Sequence, residues 1–473
     1  MADRGSPAFR DADWSVSDEL IVATEHMAFV RNLLGQQIKR EIHNQQLGLT
    51  RLWIPGTTSA ARALAEATKR TEGAARIRLA LRARDEVTGS AAAAPQQRDV
   101  MGMIAGDLRA LAIAQHGGWM PTLGRNRLLS FPGSVTLGAT REISFGAQAG
   151  GVGAAREISF GSPGNGGVGA AREISFGGGS IPTARGDWAP SRPRVAGPGQ
   201  GVRVGVLDTG IWPHPWLAGG WTARPSDVLP DRDDHSHVAG HGTFVAGLIL
   251  SQAPGATVVA RRVLDDFGHG TAWEVAEAIV ELGQGGVDVL NLSFCCYTSD
   301  AQPPLALARA VDRVNSDVVI VAAAGNHAIN DSGSRDVSAE AAAFRQLVSW
   351  PAALDDVLAV GALDEEGEPA TFSPERPWVD VAVRGTALTS TYLTRTAPAI
   401  NPMSYGSGWA LWGGTSFAAA LVSGAVAAGI DPGRVSAPDA AASLLSAARP
   451  GPATAGTGLV GPPRLGLRLG DRG

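Results

Sequence analysis

The chain has 473 residues, of which 44% are hydrophobic, so it can bury at least one large core and is too long to be a single small module. Its 40 basic and 45 acidic residues give a formal net charge of −5, which excludes the strongly basic profile of a non-specific nucleic-acid binder. No uninterrupted run of about 18 apolar residues occurs, and no apolar signal-peptide core is visible near the N-terminus. These features predict a cytoplasmic protein with no membrane span and no nucleic-acid partner.

The first 130 residues alternate between strand and helix patterns. Residues 1–17 are polar and are predicted to be a flexible terminus. The patterns that follow predict, in chain order, a strand at 19–24, a helix at 27–34, a strand at 49–54 and helices at 60–84 and 101–114. This order predicts a small α/β or α+β domain over residues 18–130.

The composition changes abruptly over residues 131–198, which are predicted to be a glycine- and proline-rich linker. The sequence Arg-Glu-Ile-Ser-Phe-Gly occurs three times, beginning at Arg141, Arg156 and Arg172, a spacing too short for the usual solenoid repeats. A flexible spacer explains the segment, because a glycine-rich chain cannot offset its ordering entropy. The alternative is that each copy is a short β-forming peptide that docks on an exposed sheet edge.

Short apolar strands alternate with helical segments from residue 199 onward. The strands are predicted at 202–207, 257–263, 287–292, 318–323 and 357–360, and the helices at 241–250, 272–282 and 305–314. This pattern is typical of a doubly wound, mostly parallel α/β sheet with helices on both faces. In such a fold the active-site residues lie at the carboxyl ends of the strands. The predicted domain covers residues 199–448, and residues 449–473 form a C-terminal tail.

Three polar residues occupy positions that suit nucleophilic catalysis. Asp208 closes an apolar strand and precedes a glycine turn. His241 lies among small residues at a helix start, where an imidazole can act as a general base. Ser416 lies between a Gly-rich turn and an alanine-rich helix, where a hydroxyl is exposed at the positive helix end. Each residue alone has an ordinary structural explanation, but the three together favour a common site.

The segments around these residues resemble the motifs of the subtilisin-like serine proteases, the subtilases. Val-Leu-Asp-Thr-Gly-Ile around Asp208, His-Gly-Thr-Phe-Val-Ala-Gly from His241 and Gly-Thr-Ser-Phe-Ala-Ala around Ser416 follow that family's order of Asp, His and Ser. Val-Ala-Ala-Ala-Gly-Asn, ending at Asn326, is similar to the strand and turn that carry the family's oxyanion-hole asparagine. The resemblance covers about residues 200–430 and implies a subtilisin-like fold.

The resemblance implies a serine endopeptidase that hydrolyses protein or peptide substrates through an acyl-enzyme. Ser416 would attack the peptide carbonyl, and His241 would take its proton and return it to the leaving amine. Asp208 would hold the imidazole tautomer, and Asn326 with the Ser416 backbone N–H would bind the oxyanion.

Six further residues are implied to contact the substrate. Their backbone would pair with an extended peptide and line the primary specificity pocket. They are Ser293, Phe294, Cys295, Ala323, Ala324 and Gly325. Cys295 stands where the family usually has a glycine, and Ala420 and Leu421 replace its usual proline and histidine. Residues 330–347 and 394–408 are expected insertions that cover or narrow the entrance.

No metal site and no cofactor for catalysis are predicted. His235, His237 and His241 form a His-x-His-x3-His array without an evident fourth ligand, which favours a surface loop over a zinc site. Cys295 and the adjacent Cys296 lack Cys-x-x-Cys spacing, which favours ordinary reduced thiols over a disulfide or redox pair. Many subtilases bind structural calcium, but no calcium-binding loop can be recognised in this sequence.

Two alternatives stay open at the level of function. Because many subtilases carry an N-terminal propeptide that assists folding and blocks the cleft, residues 18–130 are interpreted as a prodomain-like inhibitor or regulator that docks within the molecule. A domain that recruits a partner is the competing interpretation. For the whole chain, the alternative to an endopeptidase is a catalytically silent subtilase-fold module that binds extended peptides or scaffolds a complex. The presence of all four catalytic positions favours the enzyme.

Overall fold

The computed structural model describes residues 15–88, 100–129, 182–185, 197–298, 301–328, 347–394, 396–399, 401–451 and 463–467. The three Arg-Glu-Ile-Ser-Phe-Gly copies and most of the expected insertion at 330–347 lie outside these residues, as does most of the predicted terminus at 1–17. Within the described part of the chain, none of the helices has the length and apolar character needed to cross a membrane.

Residues 15–88 and 100–129 form an antiparallel sheet and four α-helices. The strands are β1 (Ser15–Ala23), β2 (Arg40–Asn44), β3 (Leu49–Trp53) and β4 (Leu123–Leu129), in the spatial order β2-β3-β1-β4. The helices are α1 (Met27–Leu34), α2 (Thr57–Arg70), α3 (Ala74–Thr88) and α4 (Val100–Gln115).

One local prediction in this part is corrected, and two strands, β2 and β4, were not predicted. The helix predicted over 60–84 is two helices, because the chain turns between α2 and α3 at Gly73, whose φ of +78° favours glycine. Strand β2 escaped prediction because it is a sheet edge, mostly polar and partly exposed, and so lacks the apolar alternation of a half-buried strand.

Strand β1 contributes to two separate cores, because successive side chains of a strand point to opposite faces of the sheet. Leu20 and Val22 are fully buried against α1, α2 and α4. Ile21 and Ala23 belong instead to a cluster that includes residues from the second half of the chain. One face of this sheet is therefore covered by its own helices and the other by distant residues.

The rest of the described chain contains fifteen strands and five helices. The strands are β5 (Thr183–Ala184), β6 (Arg203–Asp208), β7 (Trp221–Ala223), β8 (Thr257–Arg262), β9 (Gly270–Thr271), β10 (Val289–Leu292), β11 (Cys296–Tyr297), β12 (Val319–Ala323), β13 (Ser349–Trp350), β14 (Val357–Leu363), β15 (Val381–Arg384), β16 (Leu388–Thr391), β17 (Thr396–Ala399), β18 (Asn401–Ser404) and β19 (Trp409–Trp412). The helices are α5 (His241–Gln252), α6 (Ala272–Gln284), α7 (Leu305–Val311), α8 (Thr415–Gly429) and α9 (Ala437–Ser446).

Seven of these strands form one parallel sheet in the order β15-β14-β12-β10-β6-β8-β7. The predicted α/β class with a mostly parallel sheet is confirmed, and each of the five predicted strands coincides with a strand of this sheet to within a few residues. Side chains alternate between two cores: Val321 and Ala323 face the cluster that contains α5 and α8, whereas Ile320 and Ala322 face the cluster that contains α6 and α7.

Helices α5 and α8 lie unusually close to their neighbours because glycines replace side chains at the contacts. A Cβ at Gly424 of α8 would lie 2.7 Å from the Ile249 carbonyl oxygen of α5, and one at Gly247 would lie 2.3 Å from Ser390 Oγ. Both distances are too short for a real Cβ. This close packing brings the first turns of α5 and α8, which carry His241 and Ser416, to the same edge of the sheet.

The sheet of residues 15–129 is continued by a strand from the second half of the chain. Leu128 and Leu129 of β4 pair antiparallel with Thr271 and Gly270 of β9. Immediately beyond this pair, Asn126 Oδ1 accepts a hydrogen bond of 3.0 Å from the Trp273 backbone N–H in the first turn of α6. Both residues are buried.

Candidate active site

Asp208 and His241 form a buried hydrogen-bonding contact. Asp208 ends β6 and His241 begins α5, and His241 Nδ1 lies 2.9 Å from both Oδ1 and Oδ2 of Asp208. The Thr209 backbone N–H also donates to Asp208 Oδ1 at 2.7 Å. Because a carboxylate only accepts hydrogen bonds, Nδ1 of the imidazole carries a proton, and Nε2 is the basic nitrogen of the neutral ring.

The contact depends on a glycine directly after the histidine. A Cβ at Gly242 would lie 2.3 Å from the Gly210 carbonyl oxygen and 3.1 Å from Asp208 Cβ. Any side chain at this position would therefore push the start of α5 away from the turn that follows β6. The His-Gly pair in the sequence is thus a packing requirement for the Asp208–His241 contact.

Ser416 is the second residue of α8 and is bound to the end of β10. Its Oγ donates to the Ser293 carbonyl oxygen at 3.1 Å, and Ser293 Oγ donates back to the Ser416 carbonyl oxygen at 2.9 Å. The next residue, Phe417, has its ring 5.0 Å from the His241 ring centroid, and the Trp412 ring lies 5.4 Å away at nearly a right angle. The aromatic rings hold the imidazole beside the first turn of α8.

Asn326 follows β12 and is held by the residue that precedes the serine. Its Oδ1 accepts from the Thr415 backbone N–H and from Thr415 Oγ1, both at 2.9 Å, and Thr415 Oγ1 accepts from the Gly325 N–H at 3.2 Å. Two donors on Oδ1 fix the amide with its Nδ2 turned away from Thr415. Thr415 was not among the predicted site residues, although it stands in the Gly-Thr-Ser motif.

The six predicted substrate-binding residues lie together at the ends of two adjacent strands. Leu292 pairs with Ala322 in the parallel register, so the segments Ser293–Cys295 and Ala323–Gly325 leave the sheet side by side. All six residues, including Phe294 and Ala324, are buried in the structure.

A buried polar chain supports the serine from within the sheet. Asn291 of β10 donates from Nδ2 to Ser293 Oγ at 2.8 Å, and its Oδ1 accepts from Ser423 Oγ of α8 at 3.0 Å. Asn291, Ser293 and Ser423 are fully buried. The chain therefore connects β10 to two successive regions of α8, at Ser416 and at Ser423.

The predicted histidine array does not present three ring nitrogens to a common point. His235 Nδ1 lies 2.9 Å from Asp266 Oδ2, and its Nε2 lies 2.8 Å from the Pro230 carbonyl oxygen, so both nitrogens bond within the protein. Among the residues that the structure describes, no group of three or more His, Cys, Asp or Glu side chains is arranged to hold a metal ion.

Cys295 and Cys296 are buried thiols that are not joined by a disulfide. Burial raises the pKa of the Cys295 thiol to about 12, and burial raises that of Cys296 as well. Both are therefore protonated at neutral pH and are not nucleophiles, because the thiolate is the reactive form.

The expected insertion at 394–408 contains the β17–β18 hairpin. Tyr405, just beyond it, is buried and donates a hydrogen bond of 2.6 Å to the Pro182 carbonyl oxygen. The hairpin thereby adjoins a segment that comes from before the parallel sheet. That it narrows the entrance stays a prediction.

A buried Asp-His pair, a serine in the first turn of a helix and a nearby asparagine amide, all at the carboxyl edge of a parallel sheet, are the groups that a serine hydrolase uses. The model of the subtilase family matches residues 199–452, and the chain belongs to this family. It is 34% identical over 241 residues to subtilisin Savinase of Lederbergia lenta. The aligned residues cover 48% of this chain and 76% of that protein.

Two other matches are a second protease and a solved structure. The chain is 35% identical over 205 residues to a thermostable alkaline protease of Halalkalibacterium halodurans, covering 41% of this chain and 50% of that protein. It therefore spans about half the length of this relative. The solved structure of a lanthipeptide protease matches with a TM-score of 0.44 and 24% identity, covering 56% of this chain and 85% of that one.

Proposed function

We propose that the chain is a serine endopeptidase that hydrolyses peptide bonds in protein or peptide substrates. The observation that carries the proposal is the buried contact of 2.9 Å between His241 Nδ1 and Asp208, at the sheet edge where Ser416 begins α8. Membership of the subtilase family supports it. A catalytically silent module would have no need to keep this pair buried beside a serine.

In the proposed mechanism Ser416 Oγ forms a bond to the substrate carbonyl carbon. Its proton, which the structure directs to the Ser293 carbonyl oxygen, turns to Nε2 of His241, and Asp208 stabilises the resulting imidazolium through Nδ1–H. When the tetrahedral intermediate collapses, the carbon–nitrogen bond breaks and the imidazolium gives the proton to the leaving amine. Water then attacks the acyl-enzyme by the same route and frees the carboxylate and Ser416.

The oxyanion is proposed to lie between the Asn326 amide and the backbone N–H of Ser416. Thr415 holds Oδ1 of Asn326, so the Nδ2 donor is oriented before the substrate arrives and need not reorganise during the reaction. The N-terminus of α8 adds a partial positive charge at the same place. An Asn326→Ala variant should lower kcat by about 10²–10³-fold, a magnitude known from a relative, subtilisin.

Residues 18–130, of which the structure describes 18–88 and 100–129, are proposed to act as a prodomain-like inhibitor or regulator of the same molecule. The support is the β4–β9 pairing and the Asn126–Trp273 hydrogen bond. A third contact, from Asn44 Nδ2 to Glu277 Oε1 at 3.1 Å, lies further along α6. Strand pairing between two parts of one chain is a recognised way to position one of them as a regulator of the other.

The repeated Arg-Glu-Ile-Ser-Phe-Gly segments are proposed as self-cleavage or pseudosubstrate sites, although they lie outside the described residues. Fragment mapping by mass spectrometry, with a Ser416→Ala variant in parallel, tests self-cleavage. Identical uncut patterns between residues 138 and 198 would eliminate it. Catalysis without a cofactor and a cytoplasmic location stay predictions.

A fluorophosphonate probe tests the proposed activity, because it reacts only with an activated serine. We expect one adduct on Ser416 in the wild-type chain, a strong loss of labelling in His241→Ala, and none in Ser416→Ala. Ser251→Ala is the matched control, since its hydroxyl only bonds the Leu248 carbonyl oxygen within α5. Absence of an adduct on the wild-type protein would favour the silent peptide-binding module.

A further inference from the structure

A cluster of four buried side chains lies behind the edge formed by Ser293–Cys295 and Ala323–Gly325. Tyr297 and His327 are each 3% exposed, and Cys295 and Ser349 are fully buried. None of the four has a part in the proposed chemical steps. Tyr297, His327 and Ser349 were also not singled out by their sequence pattern.

Backbone pairing and ring packing hold this cluster in place. Tyr297 of β11 pairs with Ser349 of β13 across an antiparallel bridge, and its ring lies 4.6 Å from that of His327 at an angle of 66°. His327 is anchored from the other side, because its Nε2 donates to the Leu347 carbonyl oxygen at 3.1 Å. The two rings therefore have well-defined positions.

The cluster touches the backbone next to Asn326. Gly325 has a φ of +103°, and a Cβ on it would lie 2.7 Å from His327 Nδ1 and 3.0 Å from the Tyr297 hydroxyl oxygen. The pKa of Tyr297 reflects the same neighbours. Burial and the Cys295 and Cys296 thiols raise this pKa, whereas a hydrogen bond from the Asn326 backbone N–H lowers it. The Tyr297 hydroxyl thus lies beside the proposed oxyanion residue.

The position of the cluster matters for the residue that becomes the acyl group in the proposed reaction. Its carbonyl carbon would be bonded to Ser416 Oγ and its carbonyl oxygen would point to Asn326. The Ser416 hydroxyl already contacts the Ser293 carbonyl oxygen. The side chain of the acyl residue would then leave between the segments Ser293–Cys295 and Ala323–Gly325, toward the rings behind them.

We propose that Tyr297, backed by His327, fills the primary specificity pocket and restricts the residue on the acyl side of the scissile bond to glycine, alanine or serine. This inference rests on the proposed function and adds its substrate class. A larger side chain would have to displace a buried ring, and close-packed interiors resist such overpacking. A single extra methylene in a hydrophobic pocket already discriminates by about 10–200-fold, so a much larger side chain should be rejected at least as strongly.

Peptidyl diphenyl phosphonates measure this preference on the full-length protein. In these probes Ser416 Oγ forms a bond to phosphorus and phenoxide leaves, so the labelling rate reports the fit of the side chain next to phosphorus. We expect the alanine analogue to label about 100-fold faster than the phenylalanine analogue. Equal rates, or faster labelling by the phenylalanine analogue, would overturn the inference.

A fluorophosphonate without a peptide side chain separates the two proposals. If this probe labels the protein and the phenylalanine analogue reacts faster than the alanine analogue, the proposed activity is supported and the proposal that Tyr297 fills the pocket is rejected. No labelling by this probe rejects the proposed function, and the inference with it.

Two variants of Tyr297 test whether its ring causes the preference for a small side chain. Tyr297→Ala removes the ring and should shift the ratio of rates at least 10-fold toward the phenylalanine analogue. Tyr297→Phe keeps the ring and removes only the hydroxyl, so the ratio should stay as in the wild type. A Tyr297→Phe ratio that moves as far as that of Tyr297→Ala would contradict the assignment to the ring. If Tyr297→Ala does not fold, the wild-type ratio alone decides.

Discussion

Replacement of Asn291 by alanine perturbs the buried polar chain that connects β10 to α8. Asn291 donates to Ser293 Oγ at 2.8 Å and accepts from Ser423 Oγ at 3.0 Å. Because all three residues are fully buried, solvent does not replace a lost partner. The variant therefore leaves one polar group on Ser293 and one on Ser423 without its native hydrogen bond.

The expected loss of stability follows from these two groups. A buried polar group left without a partner costs about 1–3 kcal/mol, so Asn291→Ala should lower the free energy of unfolding by about 2–6 kcal/mol. Ser423→Ala should cost about 1–3 kcal/mol, because it leaves only Asn291 Oδ1 without its donor. In the double variant only Ser293 is left without its partner, so the combined loss should be about 1–3 kcal/mol, which is about 2–6 kcal/mol less than the sum of the single losses.

Denaturant unfolding followed by tryptophan fluorescence measures these losses. All variants are made in a Ser416→Ala background, which prevents self-digestion and keeps the Ser416 carbonyl that accepts from Ser293. Ser251→Ala is the control and should change the free energy of unfolding by less than about 0.5 kcal/mol. A loss below about 1 kcal/mol for Asn291→Ala, or strict additivity in the double variant, would refute the reasoning.

Asn126→Ala removes the acceptor for the Trp273 N–H and should weaken the contact of residues 15–129 with α6 by about 1–3 kcal/mol, seen as faster hydrogen exchange in β4 and β9. Gln46→Ala, which removes only an exposed contact, should leave these rates unchanged; equal rates in both variants would argue against the contact. Burial lowers the pKa of His327 from 6.5 to about 4, so its neutral ring stabilises the fold fully above pH 6.5 and loses about 3 kcal/mol as the pH falls toward 4. His327→Gln should therefore show a shallower loss of stability over this range in unfolding titrations, and a slope equal to that of the wild type would contradict the shift. Burial raises the pKa of Asp380, so its ionised form costs stability at neutral pH; Asp380→Asn should raise the free energy of unfolding at pH 7 and not at pH 3, where the carboxyl is protonated in both states.

The parallel sheet could be predicted because its signals are local. Each central strand is buried on both faces and is therefore a short, almost continuous apolar run, which is visible without knowledge of its neighbours. Strand β2 shows the opposite case: its strand character comes from pairing with β3, and its polar sequence carries no such signal. The break at Gly73 depends on a backbone conformation that helical composition alone does not indicate.

The residues of the candidate site could be predicted from local motifs, but the contacts between them could not. Short motifs single out Asp208, His241, Asn326 and Ser416, because each needs particular small neighbours where backbones approach closely, as Gly242 does beside Asp208. The roles of these residues in catalysis stay proposals. Thr415 stands in one of the motifs, but its double contact with Asn326 becomes visible only when β12 and α8 are brought together.

The class of fold and the order of the motifs follow from the amino-acid sequence, since apolar runs, glycine positions and residue types are properties of a local stretch of chain. Three features depend on long-range packing: the edge-on contact of the Tyr297 and His327 rings, the connection of Ser293 to Ser423 through Asn291, and the pairing of β4 with β9. Such contacts join residues that are distant along the chain. Their geometry depends on how whole sheets and helices pack, which no single segment encodes.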